Sequence, residues 1–283
     1  MSVENNVLIC PVCASPLKQS EKTYYCANNH SFDKAKQGYV NLLLSNQKKT
    51  QQPGDNKEMV KSRIDFLKKD YYSPIVTALN EAIQQKLNEL QRPNPNIVDL
   101  GCGVGYYLSH LRQALLSSFP DAYYWGTDIS KEAIHCANQH DKAISWIVSS
   151  NKNLPFATES IDIALSVFSP LYHDEVKRIL SPNGLLFAVT PAKNHLMELR
   201  EYLFDELKEI DEDKLLLKTD GFFEFSESVP IQATMTLESK EEIENLLKMT
   251  PFYWRSSAFK KDMLLSLDKL KVSIDVMLWV FKP

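Results

Sequence analysis

Ile97-Val98-Asp99-Leu100-Gly101-Cys102-Gly103-Val104-Gly105 carries an apolar strand directly into a glycine-rich turn, and residues 106–116 continue with helical periodicity. A strand, a glycine turn and a helix in that order bring backbone N–H groups and a helix N-terminus beside a nucleotide-like ligand. The glycines permit positive φ and a close approach of ligand to backbone. The spacing is G-x-G-x-G, whereas a dinucleotide site takes G-x-G-x-x-G, which weakens an NAD-type reading. Two acids sharpen the picture. Asp99 directly precedes the turn, where a carboxylate holds a ligand ammonium. Asp128 closes the next apolar run, Trp125-Gly126-Thr127-Asp128-Ile129, where an acid takes both hydroxyls of a ribose.

Working outward, short apolar runs recur at residues 97–100, 123–129, 145–149, 161–168 and 185–190, separated by helical or turn stretches. That alternation predicts an α/β, Rossmann-like parallel sheet with helices on both faces. Ser181-Pro182-Asn183-Gly184 reads as a turn before the fifth run. Helices are expected at 57–67 and 74–90, the second with Ser73 as N-cap and Pro74 at its first position. A helix at 240–249 and a strand at 272–281 close the chain.

The 283 residues, 44% hydrophobic and 24% charged, suit one domain plus a small one. No apolar run approaches the roughly 20 residues that a bilayer requires. The start has no charged-then-apolar leader. Near it stand Cys10, Cys13, Cys26 and His30, spaced C-x2-C-x12-C-x3-H. This is tetrahedral zinc spacing, and four protein ligands leave no open position for chemistry. With three of five cysteines so placed, a reducing cytoplasm is the expected setting. Residues 1–44 are expected to form a zinc-binding RNA-recognition module, with Phe32, Tyr39 and residues 40–44 under the metal knuckles. Residues 45–73 are read as linker and helix, and 74–283 as the catalytic domain.

Charge is unevenly spread. Residues 1–75 hold 11 lysines and arginines against 7 acids, and the remainder carries a net charge of −8. Lys34, Lys36, Lys48, Lys49, Lys57, Lys61 and Arg63 lie in the cationic part, which fits a phosphate-tracking surface.

The glycine turn with Asp99 and Asp128 resembles the class I S-adenosylmethionine-dependent methyltransferases. That resemblance implies adenine contacts by Ser149, Ser150 and Asn151, and a methyl-facing position for Ser166-Val167-Phe168-Ser169-Pro170. Further motifs narrow it: Asn29-His30-Ser31-Phe32-Asp33, Gly38-Tyr39-Val40-Asn41-Leu42-Leu43, Pro53-Gly54-Asp55, Glu58-Met59-Val60, Gly105-Tyr106-Tyr107, His195-Leu196-Met197-Glu198-Leu199 and Met249-Thr250-Pro251-Phe252. Together they resemble the bacterial 23S rRNA guanine-N1 methyltransferases over nearly the whole chain. The resemblance implies methylation of N1 of one guanine in a domain II hairpin (helix 35, around guanine 745). It implies zinc on Cys10, Cys13, Cys26 and His30. S-adenosylmethionine is implied on Tyr72, Asp99, Gly101, Gly103, Val104, Gly105, Asp128, Ser150, Asn151 and His195. Val104 stands where the family often has an acid. The expected partners are the rRNA hairpin and a second copy of the chain as homodimer, with no membrane.

Guanine N1 carries a proton and lies on the pairing edge, so the base must be unpaired and a group must accept the proton. Phe168 is the expected stacking platform, and Asp174, with Glu175 and His173 beside it, the expected acceptor. A small-molecule or protein methyltransferase and a non-catalytic zinc-module RNA-binding protein are the competing functions. The intact Asp99, glycines and Asp128 speak against the latter.

The cationic N-terminal region predicts RNA affinity that falls steeply with salt. Lys48→Ala with Lys49→Ala should lower the slope of log affinity against log salt by roughly one unit per lost phosphate contact. An unchanged slope would place the RNA path elsewhere.

Overall fold

The computed structural model describes residues 7–48, 50–51 and 53–283; Lys49 lies outside the described residues. The first 33 residues have too little apolar mass for a core of their own. Their strands β1 (Lys18–Gln19), β2 (Thr23–Tyr25) and β3 (Ser31–Asp33) form a small antiparallel sheet beside the four zinc-spaced residues. A short strand, β4 (Val40–Asn41), follows.

Helices α1 (Lys57–Leu67) and α2 (Ser73–Leu90) lead into the glycine-turn strand, β5 (Asn96–Leu100). Then come α3 (Tyr106–Leu115), β6 (Tyr123–Asp128), α4 (Lys131–His140), β7 (Ser145–Val148) and β8 (Ile161–Val167). Next are α5 (His173–Ile179), β9 (Leu180–Pro191), α6 (Met197–Leu203), α7 (Lys214–Thr219) and β10 (Glu224–Leu237). The chain ends with α8 (Lys240–Lys248), α9 (Phe252–Arg255), α10 (Ala258–Leu264) and β11 (Leu270–Lys282).

One sheet takes strands in the order β10-β11-β9-β8-β5-β6-β7-β4. β11 runs antiparallel to both neighbours, and the other pairings are parallel. The chain leaves β5 first toward β6 and β7, then crosses to β8 on its other side. That reversal opens a crevice at the carboxyl end of β5, where a doubly wound sheet binds ligands.

Alternation along each strand sends side chains to two cores. Ile97, Ile163, Leu165 and Phe187 meet the helical layer of α1 to α4, α6, α8 and α10. Val98, Leu100, Ala164 and Leu186 face α5 and, beside it, Leu17, Tyr24, Cys10 and Cys26 of the zinc module. The small module thus covers part of the sheet's second face. It is tied there at both ends: Ile9 N donates to Pro155 O at 3.0 Å, Ala157 N to Val7 O at 2.8 Å, and Leu42 N to Val148 O at 2.9 Å.

Several expectations need correction. Val40 and Leu42 do share a core with Cys10 and Cys26, but Tyr39 and Leu43 point to the helical face because the strand alternates. Residues 53–56 are docked rather than a free linker: Ser130 Oγ donates to Asp55 O at 2.8 Å, and Asn56 caps α1 by accepting from Met59 N. Ser73 is the first residue of α2, and Tyr72 is its cap without a side-chain bond. Residues 181–184 bulge within β9, between the pairs Ile161↔Leu180 and Ile163↔Leu185. The long edge strand β10 escaped the sequence reading because one face is exposed and Pro230 interrupts it. Proline is tolerated at a sheet edge, where its missing N–H costs no ladder bond.

Metal loss should therefore spread beyond the knuckles. In Cys13→Ala, metal analysis should show depleted zinc. Hydrogen exchange should show lost protection at the Leu42 and Ile9 amides, with β5 amides retained. Protection unchanged at Leu42 would mean that β4 holds to the sheet without the metal.

Candidate functional site

The four zinc-spaced residues converge, with ligand atoms all within 4.8 Å of one another. Cys13 Sγ lies 3.7 Å from Cys26 Sγ, and His30 Nδ1 lies 3.6 Å from Cys10 Sγ and 3.5 Å from Cys26 Sγ. A tetrahedral ion at about 2.3 Å from sulfur and 2.0–2.1 Å from nitrogen requires S···S edges of ~3.8 Å and S···N edges of ~3.6 Å. The site fits zinc on geometry alone. Hydrogen bonds from Ser15, then Asn28, lower the Cys13 thiol to about 5, which favours the thiolate a metal takes.

At the crevice beside β5 lies an open cavity of about 330 Å³. The turn that forms one wall is set by its glycines. Gly101, Gly103 and Gly105 have φ of +76°, +55° and +79°. A Cβ on Gly101 would stand 2.0 Å from Ser169 Oγ. Gly103 N donates to Asp128 Oδ2 at 2.9 Å, and Ser130 N donates to Oδ1 at 2.7 Å. These bonds aim the Asp128 carboxylate and leave lone pairs on both oxygens for a diol.

Asp99 is 1% exposed, and its Oδ2 has no hydrogen-bond partner. Burial, with the nearby Asp128 charge, pushes its carboxyl up to about 8. An orphaned acid sealed into a cavity wall is a receptor for a cation, since an ammonium restores the charged form. Cavity, glycine cradle, diol acceptor and ammonium acceptor together fit S-adenosylmethionine.

Tyr72, Asp99, Gly101, Gly103, Val104, Asp128, Ser150, Asn151 and Phe168 all line this cavity. Four expected residues do not, the buried Ser149 among them. Gly105 turns away: its Cβ would fall 2.3 Å from the Trp146 ring, so it is a packing glycine. His195 lies one layer behind, stacked on Phe168 at 5.5 Å and 6.4 Å from Tyr72. Burial holds its imidazole down to about 4, so it is neutral. Asp174 is exposed in the first turn of α5, which directs it to solvent. Of its neighbours, Glu175 is consumed by Arg178 and by Leu154 N. His173 lines an adjoining cavity, which shares Ser169 and Pro170 with the first, and its buried Nε2 lacks a partner.

Three further residues of the cavity wall escape the sequence reading. Gly54, Asp55 and Arg63 line the cavity, although the first two were read as linker and Arg63 as RNA surface. Gly54 has φ +84°, and its Cβ would stand 2.7 Å from Ser130 Cβ. Asp55 and Arg63 are ion-paired at 2.6 Å. The available signal was Pro53-Gly54 running into an acid and an Asn helix cap.

Comparison with known proteins agrees with both centres. The zinc-ribbon family model described as "RlmA, N-terminal" matches residues 8–51, and one described as "Methyltransferase domain" matches residues 97–184. The chain is 32% identical over 249 residues to the 23S rRNA (guanine(748)-N(1))-methyltransferase of Streptomyces fradiae, covering 87% of this chain and 85% of that protein. A Micromonospora griseorubida relative, named for 23S rRNA guanine-N1 methylation, is 34% identical and covers 69% of each chain. The solved plantazolicin methyltransferase BpumL with SAH is 16% identical, with a TM-score of 0.48, covering 81% of this chain and 91% of that one.

If Asp99 takes the cofactor's ammonium, its raised carboxyl is expected to set the pH dependence of binding. Below about pH 8 the acid is protonated in the free protein, and the ammonium requires it ionised, so binding releases a proton. Affinity for S-adenosylmethionine should rise about tenfold per pH unit from pH 6, peak near pH 8, and fall above it as the ligand's own α-ammonium, with a pKa of about 8, loses its proton. Asp99→Asn should abolish that slope and weaken binding. Calorimetry giving a flat profile in the native protein would show that Asp99 is ionised before the ligand arrives.

Proposed function

We infer the activity of this chain from its family: it belongs to the 23S rRNA (guanine-N1)-methyltransferases, and it transfers a methyl group from S-adenosylmethionine to N1 of a guanine in 23S rRNA. The observation that carries this is the pairing of a zinc-ribbon module with an acid-flanked glycine cavity on one sheet. The target guanine is proposed to lie in the hairpin implied by the family resemblance, near the position for which the Streptomyces fradiae relative is named. The homodimer rests on the resemblance alone.

The cofactor supplies an electrophilic methyl on a sulfonium. The chain's task is to bring N1 into line with it and to exclude water, and positioning of this kind supplies most of the rate in such transfers. In this reading Asp99 holds the ammonium, Asp128 takes the ribose, and Ser150 and Asn151 border the adenine. Phe168 is the platform for the flipped guanine. It is 38% exposed at the cavity wall and has φ +54°, an uncommon backbone for an aromatic residue. Strain of this sort persists where surrounding contacts hold it. His195 behind the ring and Tyr72 at 6.0 Å are those contacts. His173 is the remaining acceptor for the N1 proton. Burial, followed by the Lys218 charge, lowers its pKa and keeps it neutral and able to take one.

The zinc module is the proposed RNA-binding part. Lys36 on it and Lys48 just after it are exposed, and phosphate contacts by such residues fix register without reading sequence.

Labelled methyl transfer to unmodified 23S rRNA, followed by primer extension, tests this directly, since a methyl on N1 blocks pairing and stops the polymerase. Phe168→Ala should lower kcat/KM for RNA roughly 10- to 100-fold, the worth of one base-aromatic stack. Methyl transfer with no stop in the rRNA would overturn the substrate.

A further inference from the structure

The cofactor cavity carries an uneven charge. Its wall holds three carboxylates, Asp55, Asp99 and Asp128, and among its lining residues a single cation, Arg63. The amino-acid end of S-adenosylmethionine brings both an ammonium and a carboxylate. Asp99 serves the first. The second would enter a half-closed, acid-lined space, where an unpaired carboxylate is costly.

Arg63 is built for that anion. It sits one turn before Leu67 on α1, and both line the same wall. Its Cδ lies 3.7 Å from where a Cβ of Gly103 would stand, so the side chain runs over the glycine turn. Nε and Nη2 donate to Asp55 Oδ2 at 3.1 and 2.6 Å, and Nη2 reaches Met249 O at 3.4 Å. These bonds fix the plane of the guanidinium and leave the Nη1 hydrogens to donate. A guanidinium held by a carboxylate through Nε and Nη2 presents its Nη1 hydrogens to a second carboxylate. Asp55 in turn is anchored through its own carbonyl to Ser130, whose N–H bonds Asp128. The ribose acceptor and Arg63 therefore hang on one hydrogen-bonded frame.

We propose that Arg63 binds the carboxylate of the cofactor's amino-acid end, and that Asp55 is its positioning residue. This rests on the S-adenosylmethionine reading of the cavity. It also withdraws Arg63 from the RNA surface.

The test is calorimetry without RNA, using S-adenosylmethionine and decarboxylated S-adenosylmethionine as probes. Arg63→Met should weaken S-adenosylmethionine binding roughly 10- to 100-fold, the range for a charged hydrogen-bonded pair. The decarboxylated probe should bind this variant as it binds the native protein. Arg63→Lys should recover part of the loss. The double change Arg63→Met with Asp55→Asn leaves no unpaired acid beside position 63, so it should show the same selective loss while preserving the fold. Equal losses for both probes in the single and double variants would overturn the proposal and make Arg63 a support for the Asp55 segment. Unchanged S-adenosylmethionine affinity would overturn it as well. A native protein that binds neither probe would instead overturn the cofactor reading itself.

Discussion

The Trp146 indole occupies the space where side chains of two glycines would be. A Cβ on Gly105 would fall 2.3 Å from its ring, and one on Gly126 2.2 Å. Gly126 is the cross-strand partner of Trp146 on β6, and Gly105 caps α3. The ring itself is anchored, its Nε1 donating to Asp141 O at 2.7 Å. This one contact clamps β7, the start of α3 and the middle of β6 together. Everything at the crevice follows from it. Gly103 is delivered to the Asp128 carboxylate, and Asp99 is sealed beneath the turn. Close packing of this kind tolerates no extra methyl without backbone shift.

The zinc module has a second task beside its proposed RNA contact. Its own strands are two and three residues long and could bury little by themselves. Metal bonds make it rigid, and it then covers apolar surface at Trp125, Ile147 and Phe156. β4 continues the module into the main sheet beside β7. From there the chain passes to the strap at Gly54 and Asp55 on the cofactor cavity. The zinc module and the cofactor-cavity wall are thus neighbours along one short stretch of chain, the first tied to the sheet by backbone hydrogen bonds and the second to Ser130 at the start of α4.

Electrostatics separates the roles of the buried acids. Asp128 receives two backbone N–H bonds, which oppose the upward push of its burial. Asp99 receives none on Oδ2 and is driven to about 8. In the proposed reading the first is a preformed acceptor for neutral hydroxyls. In the same reading the second becomes fully charged when the cofactor's ammonium arrives. Asp55 is held beside Arg63 at the rim.

The sequence by itself determined the parts whose physics is local. The C-x2-C-x12-C-x3-H ligand set, the strand into Gly101, Gly103 and Gly105, the acids at 99 and 128, and the helix at 57–67 were all legible, because spacing and periodicity along the chain carry them. Tertiary structure decided what depends on distant neighbours. Gly105 reads as a ligand glycine until Trp146, 41 positions later, is seen against it. His195 reads as a contact until Phe168 lies in front of it. Residues 53–55 read as linker, since polarity and Pro-Gly mark a turn but do not show that Ser130 is waiting to bond it. β10 is half polar because one face meets solvent, and only its thirteen pairs with β11 make it a strand. In each case the deciding partner is far along the chain and close in space, and one-dimensional pattern holds no term for that distance.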